Sequence, residues 1–270
     1  MSDQEIVDKM EAVWLSIGAL CQTYSEGNWK APTDCPGWSV QDVLSHLAGS
    51  ESRLLGQPAP DHTPQDVSHV KNEIGQRNEV LVGWRRSWLG TRVLEEFQEV
   101  TGRRLRELRT MSAGDFAKET ETPIGPGTVR DLLAIRIFDA WVHEQDMRRA
   151  VSRPGNLEGP VVEHAMGRMA MAMPYVVGRK VKPVDGTTVV FEVTGPAGRV
   201  LAIAMEGTRA NPLDAPPNSP TVRLTMDMET FACLCCGRWE SGGVLATGKV
   251  RIDGDQALGE AVVGQMNFMV

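Results

Sequence analysis

The chain has 270 residues, of which 41% are apolar and 23% are charged, and its formal net charge is −7. This length and apolar content predict one large or two moderate domains, and we expect two. The negative balance offers no basic surface to hold a nucleic-acid backbone, and the arginine pairs recur among acidic residues. These properties exclude nucleic acid as an expected partner.

The N-terminus carries acidic residues where a signal peptide needs basic ones, and no run of about 18 apolar residues occurs. We therefore expect a cytoplasmic protein without a membrane partner. The cysteines are odd in number, and the run CLCC, with C-x-C-C spacing, lies inside a helical pattern, which predicts reduced thiols in structural positions. They are Cys21, Cys35, Cys233, Cys235 and Cys236.

The first half of the chain predicts four principal helices before residue 152. Apolar residues recur every three or four positions from residue 6 to residue 21, which indicates one stripe of a long helix. Ser39 followed by Asp42 forms a capping-box pattern, and the helix it opens contains His46. Residues 70–110 predict one long helix or two helices broken at Gly90. The pattern at 128–131 opens a last helix, which runs to about residue 151.

The second half changes from helical spacing to alternation. A methionine-rich helix over 162–173 is followed, after residue 183, by the segments GTTVVFEV and GRVLAIAM, which predict a hairpin. PTVRLTM predicts a third strand, Asp227 the start of a helix, GKVRI a fourth strand and 255–267 a closing helix. The predicted fold class is an all-α helical bundle over residues 1–155 and a smaller α+β domain over 156–270.

One polar cluster interrupts the last helix of the first half. Asp139 and His143 are four residues apart and share one helix face, with Asp146 one turn further on. A carboxylate and an imidazole in this arrangement can bind a divalent cation with a third ligand from a facing helix, for which His46 is the obvious candidate. Asp42 is a competing ligand.

The same residues have a plainer interpretation. Asp139 and His143 would then be an exposed intrahelical pair, and His46 an interior histidine with an ordinary hydrogen bond. Asp146 is, in the metal interpretation, an acceptor that fixes the tautomer of His143. Spacing alone leaves both interpretations open.

Two segments, PTDCPGWSVQDVLSHLAGSE and RIFDAWVHEQDMRRAVSRPG, resemble the mycothiol-dependent maleylpyruvate isomerase family. The ending, RLTMDMETFACLCCGRW to GKVRIDGDQALGEAVVGQMNFM, is similar to the sterol-carrier-like domain of that family. The resemblance implies a DinB-like four-helix bundle in which His46, Asp139 and His143 bind a divalent metal, with zinc the expected ion. The isomerase proper has a glutamate where this chain has Asp139, a departure that favours the broader group of thiol-transferring relatives.

The resemblance further implies that mycothiol, or a similar small thiol, is activated as a metal-bound thiolate that attacks an electrophilic small molecule. A transferase would release a thioether, whereas a cis-trans isomerase would eliminate the thiol again. Arg238 is expected to contact a substrate carboxylate, unless it forms a surface salt bridge with Glu229 or Glu240. Trp38 is a candidate wall of the pocket.

Three other functions stay open at this point. With water in place of the thiol, the same metal would serve a hydrolase. The sterol-carrier-like half could hold an apolar ligand while the bundle acts as a scaffold. A zinc-binding regulatory partner related to anti-sigma factors ranks last, because we expect no cysteine near His46 or His143. The sequence also leaves a homodimer open.

Overall fold

In a computed structural model, which describes residues 1–269, the chain forms two compact units, Met1–Asn156 and the described residues from Leu157 onward. The fold class expected from the sequence is confirmed, with a helical first part followed by a smaller α+β domain. No helix among the described residues combines the length and apolar character that crossing a bilayer requires.

The N-terminal unit is helical apart from one small hairpin. Its elements are α1 (Asp3–Cys21), α2 (Glu26–Trp29), α3 (Val40–Leu54), α4 (Glu73–Arg85), α5 (Gly90–Leu108), α6 (Ala113–Phe116), β1 (Glu119–Thr122), β2 (Gly125–Thr128) and α7 (Val129–Ala150). Helices α3 and α1 each pack against both α5 and α7, and α4 lies against α3. The bundle core therefore runs along the faces of α3 and α7 that carry the candidate ligands.

Both predicted capping boxes are confirmed. The Ser39 side chain accepts a hydrogen bond from the backbone of Asp42, whose carboxylate accepts one from the Ser39 backbone. Thr128 and Asp131 make the same pair of bonds at the start of α7. These bonds satisfy backbone N–H groups that the first helical turn leaves without partners, and they set where α3 and α7 begin.

The region 70–110 forms two helices, which is one of the two forms predicted from the sequence. The break between them lies just before Gly90. Gly90 opens α5 against the buried indole of Trp29. A Cβ atom at position 90 would lie 2.2 Å from Cδ2 of Trp29. This contact requires glycine because no larger residue fits between the two segments.

We expect the substitution Gly90→Ala to destabilise the N-terminal unit by about 1–3 kcal/mol, because the added methyl group overpacks a closed contact. Gly102→Ala in the same helix is the control, since its Cβ would meet only the flexible end of Arg106 at 3.7 Å. That control should gain about 0.5–1 kcal/mol from improved helix propensity. Equal shifts of the two variants in denaturant unfolding would contradict this explanation.

The C-terminal unit places helices against a mixed sheet. Its elements are α8 (Pro160–Tyr175), a π-helical segment (Val176–Val181), β3 (Thr188–Thr194), β4 (Arg199–Glu206), β5 (Arg209–Leu213), β6 (Val222–Asp227), α9 (Met228–Cys235), α10 (Ser241–Ala246), β7 (Arg251–Gly254) and α11 (Gln256–Gln265). The strand order is β5-β4-β3-β6-β7. β3 and β6 are parallel, and the other neighbours are antiparallel. The five cysteines are buried thiols, and the Cys233–Cys236 stretch lies in and just after α9, as the helical pattern predicts.

Candidate metal centre

Three ligand-type side chains from α3 and α7 meet inside the N-terminal unit. His46 Nε2 lies 3.4 Å from Oδ2 of Asp139, and His143 Nε2 lies 3.6 Å from Oδ1 of the same carboxylate. The side chains of His46 and His143 are 6% and 9% exposed, and that of Asp139 is 20% exposed. The fold thus brings together the three candidate metal ligands predicted from the sequence. Of these three, Asp139 is the most exposed to solvent.

The spacing of these atoms suits an ion better than it suits direct hydrogen bonds. Good N–H···O bonds measure about 2.7–3.2 Å, which is shorter than both histidine–carboxylate distances. Ligand atoms about 2.0–2.1 Å from a tetrahedral zinc ion lie roughly 3.3 Å from one another. The residues present therefore fit a divalent ion.

A buried network of charged side chains fixes the position of the Asp139 carboxylate. Arg136 donates through Nη1 to Oδ2 of Asp139 at 2.6 Å and through Nε to Glu51 at 2.9 Å. Glu51 is fully buried, and its second oxygen lies 3.4 Å from Nε of Arg104. Arg136 thus bridges the carboxylates of Asp139 and Glu51 and keeps Asp139 oriented, while Arg104 places a second positive charge beside Glu51.

The protonation states agree with a ligand set. Burial lowers the pKa of His46, and the neighbouring carboxylate of Asp139 does not reverse this effect, so the imidazole is neutral at pH 7. Burial alone would raise the pKa of Asp139, but the adjacent guanidinium of Arg136, together with the two neighbouring histidines, holds it well below its usual range. An ionised carboxylate and a neutral imidazole are the forms that bind metals.

The other nitrogen of His143 contacts a second carboxylate. Nδ1 of His143 lies 3.1 Å from Oδ2 of Asp146, which agrees with the expected acceptor role of Asp146. Cys35 also donates from Sγ to this oxygen, at 3.2 Å. The expectation that no cysteine lies near His143 is therefore wrong. The loop before α3 places Cys35 next to α7. No sequence pattern indicates this contact, because Cys35 and Asp146 are 111 residues apart.

Trp38 covers both histidine rings, in line with its expected place beside the site. Its ring centroid lies 5.3 Å from that of His46 and 6.1 Å from that of His143. The indole Nε1 donates to the fully buried Glu79 at 2.9 Å, and Glu79 is also paired with Arg86 at 2.6 Å. Sequence reasoning missed Glu79 and Glu51, because neither stands at a recognisable spacing from the ligand residues.

Three further expectations concern individual residues. Asp42, the competing ligand, lies outside the cluster because its carboxylate serves the Ser39 capping box and pairs with Arg86 at 3.3 Å. The alternative of an exposed Asp139–His143 pair is wrong, since the His143 side chain is buried. Arg238 belongs to the C-terminal unit, where its Nη1 donates to the backbone oxygen of Cys236 at 2.9 Å.

The C-terminal unit carries a recess of its own between the end of α8 and β5. Its volume is about 370 Å³, and its lining includes Pro174, Tyr175, Arg179 and Arg209. Gly178 permits this arrangement, since a Cβ there would lie 2.7 Å from that of Ala210. The two arginines give the recess a mixed apolar and cationic character.

The chain is thus a two-domain protein. Its helical domain contains a buried His/Cys/Asp cluster that could bind a metal, and its second domain has an α+β fold. The sequence matches the family model of the mycothiol maleylpyruvate isomerase N-terminal domain over residues 10–148. It matches that of the SCP-2 sterol transfer family over residues 174–266. The chain therefore belongs to the mycothiol maleylpyruvate isomerase family.

Two solved structures extend the likeness over the whole chain. The crystal structure of the mycothiol-dependent maleylpyruvate isomerase matches with a TM-score of 0.59 at 14% identity, over 94% of this chain and 93% of that chain. The structure of a histidine-to-alanine mutant of that enzyme matches with a TM-score of 0.58 at 11% identity and the same coverage. At these identities the likeness establishes the fold. No curated protein matches the sequence.

Proposed function

We propose that this protein is a metal-dependent transferase that joins mycothiol, or a similar small thiol, to an electrophilic small molecule. The observation that carries the proposal is the meeting of His46, Asp139 and His143 at separations that suit a tetrahedral ion. The chain belongs to the mycothiol maleylpyruvate isomerase family, and this membership supports mycothiol as the thiol. A metal with three protein ligands keeps an open position, which is the arrangement of catalytic rather than structural sites.

The residues around the ligands have separate tasks. Arg136 donates to Oδ2 of Asp139, the oxygen that also faces His46, and so fixes the orientation of the carboxylate between the two imidazoles. Asp146 accepts the Nδ1 proton of His143 and thereby leaves the lone pair on Nε2 for a metal. Trp38 packs over both rings and keeps water from that side. These contacts preorganise the site before any thiol arrives.

The charges of the site select an anionic partner. A zinc ion bound here would convert a coordinated thiol into a thiolate at neutral pH. Asp139 is the one anionic side chain among the three proposed ligands, so a divalent ion bound to them would keep a positive charge that an anionic sulfur offsets. The partly exposed Asp139 marks the side from which thiol and electrophile enter. The same charge would also stabilise a bound hydroxide, and it is the match to the mycothiol maleylpyruvate isomerase family that favours thiol chemistry over a hydrolase.

The deciding experiment incubates zinc-loaded protein with mycothiol and a panel of electrophiles that includes maleylpyruvate. We expect a thioether by mass spectrometry, formed only with zinc-loaded protein and not after chelation. Formation of the trans isomer with the thiol returned would instead assign the isomerase reaction, which needs the same site. Absence of any thiol-dependent product with zinc-loaded protein would contradict the proposal.

We also propose that Arg238 contacts a carboxylate of the substrate. The substitution Arg238→Lys keeps the charge but loses the paired donors of the guanidinium. We expect it to raise KM for carboxylate-bearing electrophiles by about tenfold, equivalent to about 1.4 kcal/mol, with kcat nearly unchanged. The uncharged analogues of the same electrophiles provide the control. An equal change for both kinds of substrate would contradict the assignment.

Carriage of an apolar ligand is the second candidate function, and the match to the SCP-2 sterol transfer family supports it. The arginines at the recess beside α8 favour an amphiphile with an acidic end over a wholly apolar molecule. Solvent extraction of the purified protein followed by mass spectrometry tests this function. A stoichiometric lipid in protein that binds no metal would favour the carrier over the transferase.

A further inference from the structure

A second set of ligand-type atoms lies at the other nitrogen of the His143 ring. Cys35 Sγ and His143 Nδ1 lie 3.2 and 3.1 Å from one oxygen of Asp146. All three residues are buried, and their ligand atoms lie within 4.8 Å of one another. A thiol, an imidazole and a carboxylate are ligands that zinc accepts. This set and the first one have only His143 in common.

The distances leave little rearrangement for an ion to enter. With metal–oxygen and metal–nitrogen bonds of about 2.0–2.2 Å and a metal–sulfur bond of about 2.3 Å, neighbouring ligand atoms lie roughly 3.4–3.6 Å apart. The observed contacts to Asp146 are shorter than this by a few tenths of an ångström. Small side-chain rotations would therefore convert the hydrogen-bonded set into a coordinating one.

The charge around Asp146 also suits a divalent ion. Arg149 donates to Oδ1 of Asp146 at 2.5 Å and to Asp34 at 2.7 Å, so one guanidinium serves two carboxylates. Metal binding would convert Cys35 to its thiolate, which adds a negative charge beside that of Asp146. A divalent ion would compensate these two charges, which lowers the penalty for burying them.

We propose that Cys35, Asp146 and His143 form an alternative metal position, which competes with the His46 position for the same ion. A neutral imidazole has a lone pair on only one nitrogen. A proton on Nδ1 of His143 leaves Nε2 for the first position, whereas a proton on Nε2 leaves Nδ1 for the second. The proposal shares His143 with the proposed function but does not depend on thiol transfer.

The two positions differ in the ligand atom that a spectrum detects. Only the second position contains sulfur, and thiolate ligands favour softer ions such as zinc and cadmium. A cobalt ion bound to a thiolate shows a near-ultraviolet charge-transfer band, and zinc bound to sulfur shows a scattering shell at about 2.3 Å in X-ray absorption. Both measurements are made on the full chain in buffer without added thiol.

The test is His46→Ala, which removes a ligand from the first position only. We expect this variant to retain about one ion per chain, with a stronger thiolate band than the wild type, since the ion moves to Cys35. Adding Cys35→Ser should abolish the band, whereas adding Cys21→Ser should preserve it, because Cys21 is buried outside both ligand sets. His46→Gln serves as the second variant if the alanine variant does not fold.

The outcomes separate this inference from the proposed function. A wild type that binds cobalt without a thiolate band, together with a folded His46 variant that binds no ion, would overturn the alternative position and leave the transferase intact. A band that persists in Cys35→Ser would also overturn it. An ion held through Cys35 in the wild type, with no thiol-dependent turnover, would support this position and contradict the proposed function.

Discussion

Replacing His143 by alanine is expected to remove metal binding and thiol transfer together. His143 presents one nitrogen to Asp139 and the other to Asp146, so its loss disables both groups of ligand atoms. We expect bound zinc to fall from about one ion per chain to near zero. Turnover should drop at least about a thousandfold, equivalent to about 4 kcal/mol of lost transition-state stabilisation. Elemental analysis and a thiol-consumption assay measure the two effects.

His62→Ala is the matched control for this experiment. His62 lies in the same unit but outside both ligand groups, and its ring packs near Gly83. The control should retain metal and turnover, and circular dichroism should show that both variants fold. If His143→Ala kept a full complement of zinc, the ligand assignment would be wrong.

Replacing Glu51 by alanine is expected to have the largest effect on stability. Glu51 is fully buried between Arg136 and Arg104, and the substitution leaves two buried guanidinium groups without that partner. Breaking a buried ion pair on one side destabilises proteins by about 3–5 kcal/mol. Denaturant unfolding of metal-free protein, followed by tryptophan fluorescence, measures the change. All tryptophans except Trp239 lie in the N-terminal unit, so the signal reports that unit.

Glu107→Ala is the matched control, because Glu107 pairs with the same Arg104 at 2.6 Å but is half exposed. Solvent screens such a pair, so the control should change the free energy of unfolding by less than about 1 kcal/mol. A Glu51 variant as stable as the Glu107 variant would show that the buried network contributes little to the fold.

Local signals in the sequence predicted the helices that carry the site. Capping boxes at Ser39 and Thr128 located the starts of α3 and α7, because their hydrogen bonds involve residues only three positions apart. The four-residue interval between Asp139 and His143 predicted a shared helix face. The alternating pattern of side chains in the second half predicted β3, β4 and β6, because it too is contained within a short segment of the chain.

Weak local preference hid several elements. β5 has the sequence RANPL, and its Pro212 is tolerated because β5 is an edge strand of the sheet. Two glycines in SGGVLA disfavour the helix that α10 nevertheless forms. β1 and β2 are joined through ETPIGPG, whose prolines and glycines favour turns over strands. In each case packing within the unit outweighs the propensity of a short segment.

The surroundings of the metal site could not be predicted, since they join distant parts of the chain. Glu51 and Arg136 are separated by 85 residues, and Cys35 and Asp146 by 111. No periodic pattern connects such pairs, and each residue alone has an ordinary surface or core interpretation. The network that orients Asp139 becomes visible only once the packing of α3 against α7 is known. The same is true of the thiol that lies beside His143.

The metal content of the full chain, purified without a histidine tag and without added metal, tests the proposed site directly. We predict about one zinc ion per chain, or restoration of about one ion after chelation and reloading. A protein that holds no divalent ion in either preparation would contradict the proposal that His46, Asp139 and His143 form a metal site. The thiolate mechanism would then fall, and ligand carriage by the C-terminal unit would become the leading function.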